Sequence, residues 1–255
     1  MKQTRIIMTM PVVVEIDDRE ATGELFDAVF AYLTYMDETF SFFKPTSEVS
    51  AINRGELAPD QWSVDIREMF VCAEDTKRIT GGYFDIVTPS GAIDPSGIVK
   101  GWAIEKAAQL LRARGVQNFY VEIAGDIAVG GVNAQGEPWR IGIENPLKVS
   151  GQTEREVVKI VRLSDKGIAT SGTYRNGAHI YDPLSKRPPS DEIVSLTVIG
   201  PNVYEADRFA TAAFAMGRSG IEFIERLEGF EGYQIDSSGV ATMTSGFSDC
   251  VVPAV

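Results

Sequence analysis

Asp94-Pro95-Ser96-Gly97-Ile98-Val99-Lys100-Gly101 places a carboxylate, a turn of small residues and a helix start in one segment, with a lysine in the first helical turn. Free backbone N–H groups and the positive end of the helix dipole attract phosphate, and a lysine there adds a localised charge. The segment reads as a polyanion cradle. The same residues also suit an ordinary helix capped by Asp94 and Ser96, with Lys100 in solvent. Asp207 and Thr211 lie four apart on a predicted helix and share a face, whereas Glu205 points to roughly the opposite side. One carboxylate and one hydroxyl make the kind of sparse oxygen site that magnesium accepts, because magnesium keeps waters and takes other ligands from phosphates or carbonyls. A half-buried Asp bonded to a Thr explains that spacing equally well.

His179 is the only histidine, so every multi-histidine metal site is excluded. With two cysteines besides, any metal has to be held mainly by oxygen, which points to magnesium, calcium or manganese. A lone histidine is usually structural, yet an ordinary pKa of about 6.5 suits it to proton transfer at neutral pH. His179-Ile180-Tyr181-Asp182-Pro183 closes a predicted short strand at a proline turn. Thr170-Ser171-Gly172-Thr173-Tyr174 reads as a loop and Gly81-Gly82-Tyr83-Phe84-Asp85 as a turn. Cys72 and Cys250 are too few for a disulfide framework and read as structural thiols.

The elements that must position these residues follow from periodicity. Leu25, Phe26, Val29, Phe30, Leu33 and Met36 recur at helical spacing and predict a helix over 20–38. Ser63 can cap a second with apolar face Ile66, Met69, Phe70 and Ala73, ending at Gly81-Gly82. A third runs from about Ile98 to Arg114, a fourth from Val203 to Met216, and a short fifth lies near 219–227. Ile6-Ile7-Met8-Thr9-Met10 reads as an opening strand. Period two appears in 119–123, 139–143 and 157–163, and Asp236-Ser237-Ser238-Gly239 turns a final hairpin. Helices early and strands later, without βαβ alternation, predict an α+β fold with a largely antiparallel sheet. Without a linker or repeat, 1–255 reads as a single domain. The softest boundary, Val149 to Thr153, reads as a connection between two strands.

Apolar residues are 44% and charged residues 24% of the chain, which is globular composition. The formal net charge of −12 repels polyanions and argues against nucleic acid as a partner. No apolar run approaches the roughly 20 residues of a membrane span.

Taken in order, these segments resemble the ApbE family of FAD:protein FMN transferases. Ser41-Phe42-Phe43 and Ser47-Glu48-Val49-Ser50-Ala51-Ile52-Asn53 resemble its early signature, and Gly82-Tyr83-Phe84-Asp85 its Gly-x-Phe-Asp turn. Asp94 to Gly101, Gly125-Asp126, Thr170-Ser171-Gly172, His179 to Pro183 and Ala206-Asp207 with Thr211 follow in the family's order. The resemblance implies magnesium on Asp207, Thr211 and the Gly97 carbonyl. It implies FAD, as substrate, contacting Met8, Phe43, Tyr83, Phe84, Asp85, Asp94, Lys100, Ile180 and Tyr181. His179 is then the candidate base, with Asp182 next. The implied reaction moves FMN from FAD to a threonine or serine hydroxyl exposed on an acceptor flavoprotein, releasing AMP. FAD hydrolysis to FMN and AMP is a rival reading, and noncatalytic flavin binding a third.

The chain departs from the family at Met8-Thr9-Met10, Ala124-Gly125-Asp126 and Leu184-Ser185-Lys186. Only Ile86 to Ile93 separates Asp85 from Asp94, so an element walling the FAD site is expected to be missing. The family's usual lipoprotein signal is not seen, and the expected compartment is cytoplasmic. Asp236 to Thr242 partly matches a family acceptor sequence, but a hairpin followed by a strand explains the same residues.

Overall fold

The computed structural model describes residues 1–19, 21–147, 156–173, 181–186 and 192–252. The chain opens with a hairpin of β1 (Lys2–Ile7) and β2 (Met10–Ile16) where one strand was expected. Met8 and Thr9 make the turn at φ of 54° and 60°. Such turns favour Gly or Asn, so the break carries no sequence signal.

Further strands are β3 (Phe119–Ile123), β4 (Asp126–Gly130), β5 (Trp139–Glu144), β6 (Val157–Leu163), β7 (Lys166–Gly172), β8 (Ile193–Gly200), β9 (Glu231–Asp236) and β10 (Ala241–Met243). Eight form one sheet in the order β1-β2-β3-β4-β7-β8-β9-β10, antiparallel throughout, while β5 and β6 pair separately. The strands read from period two are the ones with alternating or one-sided burial. β4 is buried at every position and β8 at all but one, and burial on both faces erases the alternation. Thr170 to Gly172, expected in a loop, therefore end β7. The expected connection over Val149 to Thr153 lies outside the described residues.

The helices are α1 (Gly23–Phe40), α2 (Glu48–Asn53), α3 (Val64–Ile79), α4 (Ser96–Ala113), α5 (Val203–Ala215), α6 (Gly220–Glu225) and α7 (Phe247–Cys250). Thr22, Ser47, Ser63 and Asn202 cap α1, α2, α3 and α5, each side-chain oxygen taking an N–H of the first turn. The α3 stop is the expected glycine pair: Gly81 and Gly82 hold φ of 63° and 91°, and Gly82 N–H reaches the Lys77 carbonyl at 2.8 Å. Helix α4 lies against α1 and α5. Ala128 faces the core beneath α1 and α4, and Leu196 and Val198 pack against Phe209 and Phe214 of α5. On the opposite face Ile127, Val129 and Ile199 pack with Trp139, Ile141 and Val161. The sheet thus lies between a helical layer and the β5–β6 ribbon. Among the described residues no helix is long and apolar enough to cross a membrane.

Arg208, 6% exposed, fixes the rotation of α5. Its guanidinium donates to Glu205 Oε2 at 2.6 and 2.9 Å, to Thr76 Oγ1 at 3.0 Å and to Asp75 Oδ2 at 3.3 Å. Arg208→Met is expected to cost about 3 kcal/mol in denaturant unfolding, the low end for a broken buried pair because Asp75 and Glu205 stay partly hydrated. A loss below ~0.5 kcal/mol would show that this network does not hold α5 to α3.

Candidate active site

Helices α4 and α5 approach closely because position 101 has no side chain. A Cβ on Gly101 would stand 2.5 Å from Asp207 Cβ and 2.8 Å from its Oδ2. The space lets Asp207 Oδ2 accept the Gly101 N–H at 2.7 Å. One turn on, Thr211 Oγ1 lies 3.4 Å from the Gly97 carbonyl and 3.4 Å from Ser171 Oγ at the end of β7. Gly97, Asp207 and Thr211, grouped from the sequence as a candidate metal set, therefore converge on one place.

Asp126 joins them. It is 1% exposed, its Oδ2 lies 2.5 Å from Lys100 Nζ, and its Oδ1 accepts the Thr170 N–H at 3.1 Å. The sequence marks it only as part of the Gly125-Asp126 motif; in the structure Ala124 and Gly125 turn between β3 and β4 at φ of 51° and 88° and carry the chain directly into Asp126. Burial raises the Asp207 pKa above the ordinary carboxylate range, the Asp126 charge raises it further, and Lys100 and the Gly101 N–H only partly oppose them.

Two buried carboxylates with one ammonium leave excess negative charge, which a hard cation would neutralise. Among the described residues no three His, Cys, Asp or Glu side chains gather at one point. The donors at hand are a carboxylate, a hydroxyl and a carbonyl, with Asp126 behind them. This set fits a cation that fills its shell with water and phosphate oxygen. Without cation, Asp207 keeps a proton in the native state that the unfolded chain has lost above about pH 4. Unfolding then releases a proton, so thermal stability is expected to fall as pH rises from about 5 to about 8, and Asp207→Asn to remove that component. A wild-type profile identical to that of Asp207→Asn would contradict the raised Asp207 pKa.

A second group of residues faces the start of α4. Asp94 Oδ1 accepts the Ser96 N–H at 3.0 Å, and the Asp94 N–H bonds the Ile86 carbonyl at 2.7 Å. Lys77 Nζ lies 2.6 Å from Asp85 Oδ2, and Tyr83 is half-buried. Tyr181 O–H donates to the Val87 carbonyl at 3.0 Å; burial, then the Asp85 and Asp94 charges, raise its pKa. Tyr83, Asp85, Asp94 and Tyr181 thus share one region. Phe84 is 3% exposed, and its ring stands 3.3 Å from where a Gly97 Cβ would be, so it packs against Gly97 from within the core. The short 86–93 segment folds on itself through the Val87–Ile93 bridge, and the Asn53 side chain grips Ile93 N–H at 2.7 Å and its carbonyl at 2.8 Å. Sequence reasoning did not foresee that grip.

Met8 sits half-buried in the β1–β2 turn, and Phe43 is 83% exposed. Asp182 Oδ1 accepts the Leu184 N–H at 2.9 Å, tying its carboxylate into its own turn. His179 and Ile180 lie outside the described residues. Asp236 Oδ1 accepts the N–H groups of Ser238 and Val240, and Gly239 takes φ of 85°, so the 236–242 segment is a hairpin. Ser171, Leu196, Gln234 and Thr242 form one row across β7 to β10. Three strand spacings put Thr242 about 14 Å from Ser171, beyond direct reach of the α4–α5 cluster.

The sequence model of the ApbE family matches residues 6–91 and 87–233. The chain belongs to the ApbE family. A Vibrio cholerae protein named FAD:protein FMN transferase is 39% identical over 172 residues, covering 64% of this chain and 50% of the relative. One of the same name from Klebsiella pneumoniae is 32% identical over 207 residues, covering 74% and 58%. The chain spans about half the length of the curated relatives it matches. The flavin transferase ApbE structure from Vibrio cholerae aligns at TM-score 0.83 and 23% identity over 98% of both chains. The ApbE protein of Thermotoga maritima aligns at 0.83 and 20% over 99% of both, and these likenesses establish the ApbE fold.

Proposed function

We propose that this chain transfers FMN from FAD to a threonine or serine hydroxyl of a target flavoprotein, releasing AMP with the help of magnesium, and that 1–255 acts as one transferase unit. Relatives named FAD:protein FMN transferase support the reaction class. The observation that carries it is the Lys100–Asp126–Asp207 cluster beside Gly97 and Thr211, a buried charge arrangement suited to a pyrophosphate and a hard cation.

Asp207, Thr211 and the Gly97 carbonyl would hold magnesium, which when bound supplies positive charge to the pyrophosphate oxygens. Phe84 packs against Gly97 from within the core. Lys100 neutralises phosphate charge, and Asp126 holds the lysine head in place until phosphate arrives. Asp94, Tyr83, Asp85, Ile180 and Tyr181 contact the FAD, together with Met8 and Phe43. The acceptor oxygen attacks the phosphorus of the FMN half in line, the P–O bond to AMP breaks, and His179 takes the hydroxyl proton. Asp182 is the next candidate if His179 does not act.

Incubation with FAD and an acceptor flavoprotein in magnesium, then in excess chelator, tests this. AMP is expected only with magnesium. FAD that binds and stays intact in both would leave a passive flavin binder and contradict the proposal.

A further inference from the structure

We infer that Asp37 is a positioning residue that locks Met8 and Phe43 into one edge for the isoalloxazine ring of FAD. The inference rests on the FAD reading above. Asp37 lies near the end of α1 with its side chain 14% exposed. Its Oδ2 accepts the Met8 N–H at 3.3 Å and lies 2.7 Å from Lys44 Nζ. One carboxylate oxygen thus ties the β1–β2 turn to the loop after α1.

Each partner has its own reason to need the tie. Met8 and Thr9 hold left-handed φ without Gly or Asn, a conformation that L side chains adopt only under constraint. The loop is already braced: Ser41 Oγ accepts the Phe43 and Lys44 N–H groups, each at 3.2 Å, and Ser47 Oγ donates to the Ser41 carbonyl at 2.6 Å. The braced loop holds an aromatic ring 83% exposed, where a flavin ring can stack on it. Phe42 stands edge-on to that ring at 5.4 Å and fixes its plane.

This edge also lies beside the charged cluster. Val12 pairs with Ile123, so the turn at Met8 emerges at the same end of the sheet as the Ala124–Asp126 turn. Phe40 meets Trp102, two residues after Lys100, edge-on at 5.3 Å. Of the two planar ends of FAD, the isoalloxazine leaves with the acceptor and so belongs at the open rim, where Phe43 can stack on it.

Equilibrium titrations of FAD, FMN and ADP against wild type, Asp37→Ala, Asp37→Asn and Lys44→Ala, each checked for folding by thermal melting, decide it. Loss of an oriented stack is expected to weaken FAD and FMN about tenfold in Asp37→Ala while ADP changes less than about twofold. Asp37→Asn, which keeps an oxygen for the Met8 N–H, should fall between it and wild type. Equal losses for FAD and ADP, or unchanged FAD affinity in folded Asp37→Ala, would overturn the assignment. So would loss of ADP alone, which would put adenine at this edge. If Asp37→Ala does not fold, Lys44→Ala keeps the bond to Met8 and should show the same selective loss at about threefold; equal effects on all three ligands would overturn it. A wild type that binds no FAD would instead overturn the FAD reading itself, and this inference with it.

Discussion

Asp207→Ala leaves a folded protein whose magnesium-dependent release of AMP from FAD drops by about three orders of magnitude or more. The expectation follows from the donor set. Asp207 is the carboxylate placed with the Thr211 hydroxyl and the Gly97 carbonyl, and charge neutralisation by a bound metal contributes several kcal/mol to such transition states. Folding should survive, because burial and the neighbouring Asp126 charge already disfavour an ionised Asp207, and the substitution removes that cost. Asp207→Asn should fail in the same way, since it keeps the shape and discards the charge. Turnover at the wild-type rate in either folded variant would remove the metal site from the account.

His179→Ala is the second large effect. The only histidine of the chain is assigned the acceptor proton, so its loss is expected to slow transfer by about 10² to 10⁴ while leaving FAD affinity nearly unchanged. The acid limb of the rate profile should disappear with it. The converse pattern, with rate intact and affinity collapsed, would make His179 a binding residue and pass the role of base to Asp182.

The surface-facing pattern of the chain was readable and its interior was not. Helices α1 and α3 announce themselves because one stripe is buried, and Ser63 stands at the cap of α3. β4 and β8 do not, because burial on both faces leaves no alternation to read. The β1–β2 break was hidden by a left-handed turn made of Met8 and Thr9. Within the site, the Asp207/Thr211 pair is local to one helix and visible at helical spacing. The pairing of Lys100 with Asp126 joins α4 to β4, and no spacing within either element encodes it. The Asn53 grip on Ile93 is hidden for the same reason, being set by how α2 meets a loop forty residues on.

The transfer itself is tested most directly by one mass-and-product measurement. A flavoprotein that carries covalent FMN in its mature form is prepared unmodified and incubated with this chain, FAD and magnesium, and intact mass and AMP are followed together. One FMN added through phosphate to a threonine or serine is expected, with AMP released one for one, and neither in the Asp207→Ala reaction. AMP released at the same rate with and without the acceptor, while all FMN stays dialysable, would contradict transfer and leave FAD hydrolysis in its place.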